Sequence, residues 1–147
     1  MSEAWRANLV TDQEGIARIV RECKRIAVLG IKTEAQRDQP AFYVAEYMAR
    51  AGYDIVPVPV YYPDATEILG RPVYRTVQAV PAPVAMVNVF RRPRDIPPHV
   101  EDILAARPRV VWLQLGIRHD AAAETWAKAG IQVVQDRCLL VEHRRLK

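Results

Sequence analysis

The stretch Ile26-Ala27-Val28-Leu29-Gly30-Ile31 decides the fold. It is short and almost wholly apolar, the pattern of a β-strand buried on both faces. It runs into a glycine, a residue that lets a backbone come close to a ligand just past a strand. On its N-terminal side, residues 11–24 read as a helix. Thr11 and Glu14 fit a capping box, and Ile16, Ile19, Val20 and Cys23 share one face. On its C-terminal side, a loop over about 32–39 leads to a second helix at about 40–51. Pro40 suits the first helical position, and Ala41, Val44, Ala45 and Met48 make an apolar stripe. Gly52 ends it.

The alternation continues outward. Asp54-Ile55-Val56-Pro57-Val58 reads as a second strand, with Pro57 near its end because proline cannot donate to a ladder. Residues 60–83 read as irregular, with a turn at Gly70-Arg71-Pro72. Third, fourth and fifth strands are expected at 84–89, 110–114 and 131–135, and helices at 97–106 and 120–129. Residues 138–143 read as a short tail strand or a final turn. Strands alternating with helices imply βαβ units and a parallel sheet, and right-handed crossovers put helices on both faces. The expected fold is α/β: a three-layer, Rossmann-like, doubly wound parallel sheet of about five strands in the order 3-2-1-4-5. It fills a single domain, 1–147, with the helix 11–24 preceding a nucleotide-binding core at 25–147. Such sheets bind ligands outside the carboxyl ends of their strands, where the strand order reverses.

The 147 residues, half of them apolar, allow one domain with a core that needs no disulfide or metal. Two distant cysteines, Cys23 and Cys138, make a poor disulfide framework. The histidines His99, His119 and His143 are scattered, so no metal site is expected. No run approaches the ~18 apolar residues of a membrane span, and the N-terminus lacks an apolar signal stretch. A cytoplasmic protein without a membrane partner is the expectation. The net charge of +4 fits either a polyanionic ligand or a mildly basic surface. No basic helix or aromatic-studded sheet points to nucleic acid.

The residues just past each strand carry the site. After Gly30 come Lys32 and Arg37, then the helix start at Pro40, whose free amides and dipole offer an anion site. A phosphate or pyrophosphate fits there; so does an ordinary loop with solvated charges. The three-glycine dinucleotide fingerprint is absent, and no acid stands at the end of the second strand to hold a ribose hydroxyl. Phe90 sits beside Arg91, Arg92 and Arg94, and either lines an adenine pocket or packs under the sheet edge. Gly116 marks a close backbone approach or a tight turn. Cys138, next to Arg137, is a reactive thiol or, more simply, a buried one. His119 with Asp120 reads as a helix start. The sequence offers no nucleophile–base arrangement and no paired carboxylates suited to acid–base work.

Several of these blocks occur together in one known group. Ile26-Ala27-Val28-Leu29-Gly30, Arg37, Pro40 and Asn88-Val89-Phe90-Arg91-Arg92-Pro93 are among them. So are Val111-Trp112-Leu113-Gln114-Leu115-Gly116-Ile117 and Asp136-Arg137-Cys138-Leu139. With them the chain resembles the small single-domain CoA-binding proteins of bacteria and archaea, the YccU-like group. Their fold is shared with the nucleotide-binding domain of the succinyl-CoA synthetase α subunit. The resemblance implies a Rossmann-like domain that takes coenzyme A. Gly30 and Ile31 would approach the pyrophosphate, and Arg37 and the helix start at Pro40 would face phosphate. Val58 and Pro59 would border the adenosine, and Val89, Phe90 and Arg91 would line the nucleotide. Gly116 and Ile117 would flank the pantetheine. Here Val58-Pro59-Val60 stands where the group usually has Val-Asn-Pro. The synthetase's phosphorylated histidine belongs to a second domain for which this chain has no room, so ligase activity is not implied. The reading is a module that binds CoA or an acyl-CoA without catalysis, for sensing, storage or delivery. The alternatives are an NAD(P)-binding oxidoreductase and a CoA-dependent transferase.

Overall fold

The computed structural model describes residues 3–146. A 3-10 turn, Ala4–Asn8, leads to a single parallel bridge between Leu9 and Val133. Helix α1 is Gln13–Glu22. Its cap is Asp12, whose carboxylate accepts the Gly15 N–H at 2.9 Å, rather than the expected pair Thr11 and Glu14. A carboxylate at the positive end of the helix outcompetes a hydroxyl one residue earlier. The chain continues through β1 (Arg25–Leu29), α2 (Pro40–Arg50) and β2 (Asp54–Val58). A small antiparallel hairpin, β3 (Glu67–Ile68) and β4 (Arg71–Pro72), occupies the segment that reads as irregular in the sequence. Then follow β5 (Met86–Val89), α3 (Val100–Ala106), β6 (Val110–Leu113), α4 (Asp120–Lys128), β7 (Gln132–Val134) and α5 (Leu139–Arg144). Residues 97–99, expected as the first turn of a helix, are a separate 3-10 turn, and the tail is helical.

Five parallel strands form one sheet in the order β2-β1-β5-β6-β7. The α/β class and the doubly wound parallel sheet are as expected. The order is not: counted along the chain it is 2-1-3-4-5 instead of 3-2-1-4-5. Pro57 holds the physical reason. A proline inside an interior strand would leave one ladder short of a donor. With β2 at the edge, Pro57 faces only β1 through regular pairing, and its carbonyl accepts the Tyr74 N–H from the segment after the hairpin, at 3.0 Å. The chain therefore crosses back over β1, and β5 pairs with β1 on the other side.

Alternate residues of each strand enter two cores. Ile26, Val28, Ile55, Met86, Val110 and Trp112 pack under α1, α2 and α5 with Ile16, Val20, Phe42, Met48 and Leu139. Ala27, Leu29, Val56, Val87, Val111 and Val133 pack on the opposite face with Ile103, Ala123, Trp126 and the 77–84 segment. Both faces being covered explains why the strands read as continuous apolar runs. No helix among the described residues is long and apolar enough to cross a membrane.

Candidate functional site

In a 2-1-3-4-5 sheet the strand order reverses between β1 and β5, and the ligand crevice of such folds opens there. Each strand is continued by one hydrogen bond beyond its end. Gly30 N–H donates to the Val58 carbonyl at 2.9 Å, and Phe90 N–H donates to the Leu29 carbonyl at 2.8 Å. Gly30 and Phe90 thus meet at the mouth of the crevice. Gly30 has φ +87°, and a side chain there would run into the Phe90 carbonyl and the Arg91 Cδ. The small residue is required first by this contact within the protein.

A cleft of about 330 Å³ opens at this point, lined by Gly30, Lys32, Tyr61, Tyr62, Phe90, Arg91 and Arg92. Each wall is held by its own local bonds. Lys32 N–H donates to the Ala41 carbonyl at 3.0 Å, folding the loop back against the first turn of α2. Thr33 and Gln36 close a capping box around the short turn Glu34–Gln36. The Glu34 carboxylate accepts the Leu69 N–H at 2.8 Å, tying that loop to the β3–β4 hairpin. The tyrosine wall is gripped by Arg75, whose guanidinium donates to the carbonyls of Tyr61, Tyr62, Pro63 and Ala65, the last at 2.7 Å. The Arg91 guanidinium carbon lies 5.5 Å from the centre of the Tyr61 ring. A hydrogen bond from Arg91, and then its charge, pull the Tyr61 phenol below its usual pKa. On its other side Arg91 Nε–H donates to Nε2 of half-buried His99 at 3.2 Å. The cleft therefore brings Lys32, Arg91 and Arg92 together with the aromatic residues Tyr61 and Phe90, the latter also packed against the core.

Of the residues expected at the site, Gly30, Lys32, Phe90 and Arg91 line this cleft together. Pro40 opens α2 as its first residue. The side chains of Ile31, Val58 and Val89 are in the core and Pro59 is buried, so only their backbone faces the strand ends. Arg37 is exposed, does not line the cleft, and donates from Nε to the Glu34 carbonyl at 3.1 Å. Gly116 and Ile117 follow β6, outside the cleft. There Ile117 N–H donates to the Gln114 carbonyl at 2.9 Å, and Gly116 N–H donates to the Asp136 carboxylate at 2.7 Å. Gly116 has φ +85°, with open space where a side chain would be. Tyr61 and Tyr62 escape the sequence reading, although two adjacent aromatics just past the second strand are a usable signal. His99 escapes it too, because its partner Arg91 is brought to it by the turns over 93–99.

A larger cleft, of about 520 Å³, lies at the far edge of the sheet between Trp5, Leu9, α4 and Asp136. Several of its charged residues hold partners of their own: Arg118 and Asp120 pair within it, while Arg6, Arg137 and Glu124 pair with Glu3, Glu142 and Lys128 outside its lining. The smaller cleft, at the topological switch and with cations facing it, is the better candidate. No group of His, Cys, Asp and Glu placed to hold a metal ion exists among the described residues.

Fold and cleft together define a doubly wound α/β domain with a crevice at its topological switch lined by cationic and aromatic residues. The chain belongs to the family described as the CoA binding domain, whose model matches residues 24–144. It is similar to the uncharacterized protein YneT of Bacillus subtilis (strain 168), with 33% identity over 128 residues, 87% of this chain and 91% of that one. Among solved structures it is similar to the cell-free protein ID.343 from Thermus thermophilus. That pair has 37% identity and a TM-score of 0.84, over 93% of this chain and all (100%) of that one. A hypothetical protein from Pyrococcus horikoshii OT3 matches with 32% identity and a TM-score of 0.82, over 92% of each chain.

Proposed function

We propose that the protein binds coenzyme A or an acyl-CoA in the cleft between β1 and β5, without catalysis, as a sensing, storage or delivery module. The observation that carries this reading is the convergence of Lys32 and Arg91 with Tyr61 and Phe90 at the switch point. Guanidinium and ammonium groups suit phosphate oxygens, and the rings suit an adenine face. The backbone at Ile31 and Pro40 and the borders at Val58, Pro59 and Val89 complete the nucleotide side. The pantetheine arm then runs past β5 toward Gly116 and Ile117, one strand over, about 5 Å away. A dinucleotide such as NAD suits the cleft less well. The second strand ends without an acid for a bare ribose, and Asp54, at its opposite end, is engaged by Arg25 and Arg71.

Ligand-induced stabilisation tests the choice. CoA raises the melting temperature by mass action, and NAD at equal concentration raises it less. Equal or greater stabilisation by NAD overturns the reading.

A further inference from the structure

We propose that His99 is a positioning residue that holds Arg91 in the ligand cleft and makes its service there depend on pH. The inference rests on the reading of that cleft as a CoA site. Arg91 Nε–H donates to His99 Nε2 at 3.2 Å, which requires a lone pair on that nitrogen. The ring is therefore neutral, with its proton on Nδ1. With Nε anchored this way, the guanidinium reaches Tyr61 and the cleft. An imidazolium has no acceptor to offer and sets a second positive charge against the first.

The groups around His99 come from three segments. Arg91 follows β5, Asp95 lies in the turn Pro93–Asp95, and Asp102 lies in α3. Both carboxylates favour the imidazolium, yet both already accept other bonds. Asp95 takes Arg92 Nε–H at 3.2 Å, and Asp102 takes the N–H groups of Val77 and Gln78 at 2.7 and 2.9 Å. Burial, and after it the charge of Arg91, outweigh them and hold His99 below its usual pKa. The bond is consequently intact at neutral pH and lost in acid. Losing it frees the guanidinium to swing from the cleft, and ligand phosphates then lose an oriented partner.

The experiment measures the CoA dissociation constant by calorimetry from about pH 8 to about pH 4, extending below the ordinary imidazole range because burial holds His99 down, for wild type and His99→Gln. Glutamine keeps an acceptor for Arg91 and does not titrate. The ionisation of the ligand's own phosphates is common to both proteins and cancels in the comparison. The two bind alike at the alkaline end. At the acid end wild type is weaker than His99→Gln by about 3- to 10-fold, the worth of one hydrogen bond. In an Arg91→Ala background, adding His99→Gln makes no difference at any pH. Parallel profiles with CoA binding intact overturn the role of His99 alone. Absence of CoA binding at every pH overturns the CoA reading and this proposal with it. If His99→Gln fails to fold, NMR of the unsubstituted protein decides: the Arg91 Nε resonance shifts with the His99 titration, and a resonance that ignores it overturns the proposal.

Discussion

The carbonyl of Phe90 fills the space that a β-carbon on Gly30 would need. The ends of β1 and β5 are thus packed backbone against backbone at the mouth of the cleft. Neither side of that contact is the flexible end of a side chain, so it cannot yield cheaply. Gly30→Ala is therefore expected to cost about 2–4 kcal/mol, combining a strained positive φ with overpacking. Urea unfolding measures it. A loss below about 0.5 kcal/mol, the scale of an ordinary surface change, would show that the two segments part easily.

Gly116 gives the opposite case. It shares the positive φ, but nothing lies where its side chain would go. Gly116→Ala should cost only the backbone conformation, about 1 kcal/mol. If the pantetheine crosses this loop, the same variant also binds CoA more weakly. Normal CoA affinity in a destabilised Gly116→Ala protein would count against a ligand role for the loop.

These two glycines also mark what a sequence can and cannot disclose. The apolar runs that became β1, β2, β5, β6 and β7 were legible because a sheet covered on both faces leaves no polar alternation. Gly30, Phe90 and Arg91 were legible as residues following strands. The neighbour of each strand was not, since pairing is decided by how the chain crosses over, and a proline such as Pro57 fits a strand end as well as a sheet edge. The charge of Arg37 is legible but its direction is not: its Nε–H donates to the Glu34 carbonyl of its own loop. Tyr61 enters the cleft because Arg75, 14 residues on, grips the carbonyls around it, a contact no local pattern announces.

Acid should weaken the edge of the sheet at Asp54. Burial favours its neutral form, but the bonds and charges of Arg71 and Arg25 together outweigh that and hold the carboxyl below its ordinary pKa. A carboxylate depressed in the folded state contributes stability at neutral pH and loses it as pH falls through the folded pKa. With the side chain 40% exposed, solvent screening keeps the contribution under about 1 kcal/mol. Asp54→Asn should be slightly less stable than wild type at neutral pH, with the gap closing in strong acid. A gap independent of pH would assign the loss to packing.

The two thiols should differ in access. Cys23 is fully buried, and burial pushes its thiol pKa up despite nearby Arg109. Cys138, just before α5, is only partly buried. A thiol reagent is expected to modify Cys138 in the native protein and Cys23 only on unfolding. Cys138→Ser should leave CoA affinity within about 0.5 kcal/mol. Protection of Cys138 by CoA would instead put the thiol beside the ligand.

Calorimetric titration of CoA into wild type, Lys32→Ala, Arg91→Ala and Arg37→Ala tests the location of the site most directly. The account predicts saturable binding by wild type. Lys32→Ala and Arg91→Ala should each lose about 1–3 kcal/mol, the worth of a charge-assisted bond to phosphate, and depend less on salt. Arg37→Ala, whose side chain lies outside the cleft with its Nε–H on the Glu34 carbonyl, should lose less than either. No binding by wild type, or affinities unchanged by both Lys32→Ala and Arg91→Ala, would contradict a CoA site between β1 and β5.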